Sequence, residues 1–249
     1  MTASHLARWN DPDAMTAVQR IALNLDAQFD AADPYAVAVV SARNGEGRSH
    51  TAASLAVAYA RMGRRCLLLD GDLQAPVLHE WFGLTPGGGV HEWLTAFAET
   101  ADGGEGESES PPPPTDAVAE HVGAMLGEAV VEVPGLRVMG AGRLGQGTTL
   151  ALWRPAILGP ALRQCFDQAD VVVIDTPQAL RHADAQVIAP QVSACLLVGR
   201  KGLSYLAEMQ AVRDQLSTAG ARLAGSVMNT QPVRTSLWAA LSPRPTRLP

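Results

Sequence analysis

The chain has 249 residues, is 47% hydrophobic and 18% charged, and carries a formal net charge of −6. That is enough apolar material for a large core, and the acidic balance excludes nucleic acid as the main partner because no basic excess exists to neutralise phosphates. Cys66, Cys165 and Cys195 each lie in an apolar stretch without C-x-x-C spacing, which reads as reduced core thiols rather than a metal or redox site. Met1 to Asn10 has no apolar core of a signal peptide, and no stretch reaches the roughly 20 apolar residues of a membrane-spanning helix. The expectation is a cytoplasmic protein.

Ala17, Ile21, Leu25 and Phe29 recur at helical spacing, predicting a helix over 13–29. Asp33-Pro34 breaks the pattern before a strand from Tyr35 to Ser41. Next comes Ala42-Arg43-Asn44-Gly45-Glu46-Gly47-Arg48-Ser49-His50, then an alanine-rich helix over about 49–62. This strand, loop, helix order is that of a P-loop, whose backbone N–H groups curl round phosphate oxygens at a helix N-terminus. The residues from Asn44 to His50 are therefore the candidate phosphate cradle. Gly45 and Gly47 suit close backbone approach or unusual φ angles. Ser49 stands where the motif places a hydroxyl on magnesium, and Arg48 stands where it normally places lysine.

Gly63 ends the helix, and Arg64-Arg65 suit its negative end. Cys66-Leu67-Leu68-Leu69 does not alternate, as expected of a strand covered on both faces, and it delivers Asp70-Gly71-Asp72. His79 follows, and Trp81, Phe82 and Trp93 are read as covering the sheet edge. From about Glu99 to Asp116 the chain turns acidic and proline-rich, predicting a disordered surface insertion. Beyond it the sequence predicts a strand at Leu136–Met139, a helix from Pro155 to Gln168 and a strand from Asp170 to Asp175. Strands at Ser193–Val198 and Leu223–Met228 flank a helix over 203–219. His182 and Asp184 read as capping or surface residues. The fold class is α/β, a predominantly parallel sheet with helices on both faces, residues 1–34 forming a helical segment and 35–249 the P-loop domain. Ligands in such sheets bind at the C-terminal strand ends, where the loop, Asp70, Asp72 and Asp175 all fall.

Gly45-Glu46-Gly47-Arg48-Ser49, the run from Leu67 to His79, and Val173-Ile174-Asp175-Thr176-Pro177 together resemble the bacterial tyrosine kinase family. More narrowly the chain is similar to the CpsD/CapB-type kinases of polysaccharide export, themselves related to MinD/ParA-like P-loop ATPases. The resemblance implies ATP or ADP with Mg²⁺. It puts Arg48 at the phosphate-bridging lysine, Ser49, Asp70 and Asp175 round the metal, Asp70 and Asp72 with Arg48 in the catalytic shell, and Asn229 at the adenine. It implies a membrane-embedded chain-length or export regulator as partner, a place at the inner face of the membrane through that partner, and a possible homo-oligomer.

The chain departs from the family at Arg48, a planar fork that does not place its charge as lysine does. His50 replaces a hydroxyl residue. Thr16, Gln19 and Ala22 stand where the family's ring-forming helix carries Glu, Arg and Arg. No tyrosine cluster closes the sequence: its tyrosines are Tyr35, Tyr59 and Tyr205. These departures lead to a pseudokinase reading. The alternatives are an active MinD/ParA-like ATPase switch, which would use Arg43 for a leading lysine, and a non-catalytic interaction module in which Glu99–Asp116 or Trp238 meets a partner.

Overall fold

The computed structural model describes residue 9 and residues 11–30, 33–85, 87–102, 128–130, 132–143 and 149–230. A seven-stranded sheet runs β3-β4-β2-β5-β1-β6-β7, with β1 Tyr35–Ser41, β2 Cys66–Asp70, β3 Glu128–Ala129, β4 Leu136–Met139, β5 Val171–Asp175, β6 Ala194–Arg200 and β7 Leu223–Asn229. Every pairing is parallel except that of the two-residue edge strand β3 with β4. A short antiparallel edge leaves little open ladder for another chain to extend.

The central strands are apolar without alternation because both faces are covered. Val37 and Val39 of β1 face a layer built on α2 (Arg48–Arg61), whereas Ala36, Ala38 and Val40 face the opposite layer. Small side chains let α2 lie close: Ala52, Ala53, Ala56, Ala58 and Ala60 are all buried. Outside it packs α1 (Pro12–Asp26), capped by Asp11, whose carboxylate accepts from the Asp13 and Ala14 N–H groups. The buried stripe of α1 is Met15, Ala22 and Leu25, with Val18 and Ile21 packed beside it. Ala17 is exposed, and Phe29 lies past the helix end, stacked on Tyr35 at 4.5 Å, so the predicted stripe is displaced. On the other face lie α4 (Val90–Asp102) and α5 (Pro155–Gln168), with Trp93 and Trp153 fully buried between them and the sheet.

Three elements correct the sequence reading. α4 carries a helix through Glu99 to Asp102, four residues into the stretch expected to be disordered; 103–116 and Trp238 lie outside the described residues. Trp93 is core, not edge cover. Arg64 and Arg65 pair with Asp26 and Asp170 instead of serving the end of α2, and β5 begins at Val171 because Asp170 is held by Arg65. Two short helices, α3 (Leu78–Phe82) and α6 (Asp184–Ile188), and the helix α7 (Leu206–Thr218) complete the frame. Asp184 is buried at the start of α6, not on the surface, and His79 is exposed on α3. Cys66, Cys165 and Cys195 are free and buried, and burial raises all three thiol pKa values, so they stay protonated and inert.

Candidate functional site: a phosphate-type loop over three carboxylates

The register brings the predicted residues together. Asp70 and Asp175 are direct neighbours across β2 and β5, and Asp175 pairs with Val39 across β5 and β1. The loop that follows β1 therefore sits beside the acid that ends β5, with the acid ending β2 one strand further on. Gly71 makes this junction possible, since a Cβ there would lie 2.6 Å from the Asp175 carbonyl oxygen. The Thr176 hydroxyl donates to the Val39 carbonyl at 2.9 Å, closing the strand ends together.

The loop has the backbone its sequence requires. Gly45 and Gly47 adopt φ of +81° and +92°, a region that L side chains rarely enter. Gly47 is also crowded: a Cβ would fall 2.3 Å from Asn229 Nδ2, so the Asn229 side chain lies directly against the loop from the end of β7. Glu46 is buried and shapes the turn from inside. Its Oε2 accepts the Arg43 N–H at 2.7 Å and its other oxygen accepts the Ser204 hydroxyl. Arg200 Nη1 donates to the Gly45 carbonyl at 3.0 Å, and the Asn44 N–H donates to Gln178 Oε1 at 3.2 Å. Arg43 pairs with Glu208 and lies 5.0 Å over the Tyr205 ring. The loop is thus tied to the segment after β6, which explains why α7 begins at Leu206 and not at 203. The α2 N-terminus opens on this loop, presenting N–H groups and the positive helix end. The His50 ring, one position beyond Ser49, stands edge-on to Trp81 at 6.5 Å.

Arg48 occupies the centre. Its guanidinium is buried, 7% exposed, and all three nitrogens are engaged: Nε on Asp175 Oδ1 at 2.9 Å, Nη2 on Asp72 Oδ2, and Nη1 on the Ser41 hydroxyl at 3.3 Å. The second oxygen of Asp72 accepts the Gln74 and Ala75 N–H groups. Asp70 Oδ2 accepts from Val77 and Leu78 N–H at 3.2 and 3.0 Å. Asp70 Oδ1 and Asp175 Oδ2 are buried without a hydrogen-bond partner among the described residues. Burial, then repulsion from Asp175, raises the Asp70 pKa to about 8, despite the two amides that favour its ionised form. Burial raises Asp175 too, with Arg48 and the Ser49 hydroxyl opposing.

Ser41, Gln178, Arg200 and Ser204 belong to this site and had no signal in motif or spacing; only the fold brings them to the loop. The loop fits the phosphates of a nucleotide: two left-handed glycines, the helix N-terminus, and Arg200 beside the Gly45 carbonyl. Magnesium fits less well. Ser49, the hydroxyl expected to reach it, is placed near Asp175, but Asp175 and Asp72 already hold a cation, the guanidinium. No group of three or more His, Cys, Asp or Glu among the described residues is placed to hold a metal ion.

No family model matches the chain. Among curated proteins it is similar to the tyrosine-protein kinase YwqD of Bacillus subtilis, 25% identical over 221 residues, covering 88% of this chain and 83% of that one. It is likewise similar to the tyrosine-protein kinase CpsD of Streptococcus agalactiae, 26% identical over 210 residues, covering 84% and 80%. Among solved structures, the kinase domain of the Escherichia coli tyrosine kinase ETK superposes with a TM-score of 0.74 at 23% identity, over 95% of this chain and 83% of that domain. The septum site-determining protein MinD of Pyrococcus horikoshii, complexed with Mg-ADP, superposes with a TM-score of 0.57 at 19% identity, over 78% and 70%. At such identities the structural likeness is one of fold. The curated homologues of this chain are thus bacterial tyrosine kinases, and its fold is that of the MinD-like P-loop NTPases.

Proposed function

We propose that this chain is a nucleotide-binding pseudokinase of the bacterial tyrosine kinase type, acting in exopolysaccharide or capsule synthesis and export. It works at the inner face of the membrane through a membrane-embedded chain-length or export regulator; none of its described helices is long and apolar enough to cross a membrane. Gly45, Gly47 and the α2 N-terminus hold the phosphates, and Asn229, against Gly47, reaches the base. The observation that carries the loss of phosphotransfer is Arg48. A transferring site needs a mobile cation on the β- and γ-phosphates and carboxylates free for a metal. Here the cation is fixed on Asp72 and Asp175, and both requirements fail through one residue.

The phosphate acceptors fail as well. The Tyr35 hydroxyl donates to Asp26 Oδ1 at 2.6 Å and lies 2.7 Å from the Tyr59 hydroxyl, and burial raises the pKa of both tyrosines. Tyr205, 61% exposed, is the one tyrosine a kinase could reach. Incubating the purified chain with Mg-ATP and probing for phosphotyrosine tests the reading. The expected result is no ATP-dependent signal on the chain or on an added tyrosine polymer. Robust phosphorylation, at Tyr205 or on the polymer, would overturn the pseudokinase. Recovery of the chain from detergent extracts together with a polysaccharide export protein, as against from the soluble fraction alone, tests the partner.

A further inference from the structure

Three acids, Asp70, Asp72 and Asp175, converge under the loop, and a single side chain, Arg48, pairs with two of them, Asp72 and Asp175. The Arg48 fork joins acids from two different strand ends, Nη2 on Asp72 and Nε on Asp175, while Nη1 ties the same group to Ser41 at the end of β1. A planar, weakly hydrated guanidinium suits this place, because it satisfies two carboxylates at once without the water shell that magnesium retains. For a divalent ion to take Asp175 and Asp72, the guanidinium would have to leave them while still buried. Losing a partner in a buried pair lowers a competing affinity on the order of a hundredfold or more. The phosphates have another cation at hand: Arg200, which bonds the Gly45 carbonyl of the loop.

We propose that the Arg48 guanidinium is a built-in replacement for the divalent cation of this site, so that nucleotide binds without a metal. The proposal rests on the nucleotide reading above and goes beyond it by setting the form of the ligand: free ADP or ATP rather than their magnesium complexes. It also makes a claim independent of nucleotide, namely that the three acids take up no divalent ion while Arg48 is present.

Two titrations of the full chain test it. In the first, ADP is titrated calorimetrically in excess magnesium chloride and again in EDTA. The wild type is expected to give dissociation constants within about twofold of one another, and Arg48→Lys to bind about tenfold or more tightly with magnesium, since an ammonium cannot hold both carboxylates. A wild type that binds about tenfold tighter with magnesium overturns the proposal. In the second, Mn²⁺ is added without nucleotide and its free fraction followed by electron paramagnetic resonance. The wild type is expected to leave it free and Arg48→Ala to take it up; if that variant does not fold, Arg48→Lys replaces it. Uptake by the wild type equal to the variant's, or none by either, contradicts a cation substitution. No ADP heat in any buffer or variant ends the nucleotide reading, while the manganese result still decides the role of Arg48.

Discussion

The two ends of β5 carry the same chemistry in opposite surroundings. At its start, Arg65 holds Asp170 through Nε at 3.0 Å, Nη2 at 2.6 Å and its own N–H at 2.8 Å, with side chains 58% and 32% exposed. At its end, Arg48 holds Asp175 and Asp72, none of them more than 8% exposed. Both are arginine–aspartate clusters that join neighbouring strands. Water screens the first, so its three good hydrogen bonds stabilise the fold little. The second has no water to fall back on, so removing either partner leaves a buried charge without compensation. The geometry is comparable; burial decides what each cluster does. One pins the starts of two central strands, β2 and β5, and the other fixes the electrostatics of the site.

The difference is tested first at Arg48. Arg48→Ala is expected to lower stability by about 3–5 kcal/mol in metal-free buffer, a fall of roughly 10 °C or more in melting temperature for a chain this size. A loss no larger than that of the Arg65 cluster would erase the contrast. Gly47→Ala comes next. A Cβ at φ +92° that also meets Asn229 Nδ2 at 2.3 Å is expected to weaken the fold by about 1–2 kcal/mol and to reduce nucleotide affinity more than about tenfold. Pairing it with Asn229→Ala should recover part of the stability, because the clash goes and only the backbone strain remains.

Asp70 gives the pH dependence. Its carboxyl titrates near 8 in the folded chain and at an ordinary carboxylate value near 3.8 when unfolded. The folded state therefore holds the proton longer. The stability from this group is fully present below the unfolded value and is lost as pH rises toward 8. Asp70→Asn keeps an oxygen for the Val77 and Leu78 N–H groups and removes the charge. In EDTA it is expected to melt higher than wild type at pH 8, by about 1 kcal/mol or more, with the gap closing toward pH 4. Thermal melts across that range decide it; an equal gap at both ends would contradict the burial argument. The smallest effect belongs to Asp170→Ala, a shift of about 2 °C or less that shrinks further in high salt.

Much of the frame is legible in the sequence because its signals are local. β1, β4 and α5 begin and end where apolar runs, prolines and glycines place them, and the acids at the ends of β2 and β5 follow from those runs. The failures are non-local. Glu99–Asp102 reads as an acidic tail but continues a helix whose buried face is set by Trp93, Leu94 and Phe97. The start of α7 moves because Ser204 is held by Glu46, 158 residues away in the chain. Arg48 shows the division most clearly. Its departure from lysine is visible in the loop motif, yet its partners come from positions 41, 72 and 175, and no periodicity joins them.

The most direct measurement is calorimetric titration of the wild-type chain with ATP beside Arg48→Lys. The account predicts saturable one-site binding by the wild type, because the loop and helix end hold the phosphates while Arg48 stays on the acids. A silent wild type with binding restored in the lysine variant would contradict it, and would make Arg48 the residue that closes the site.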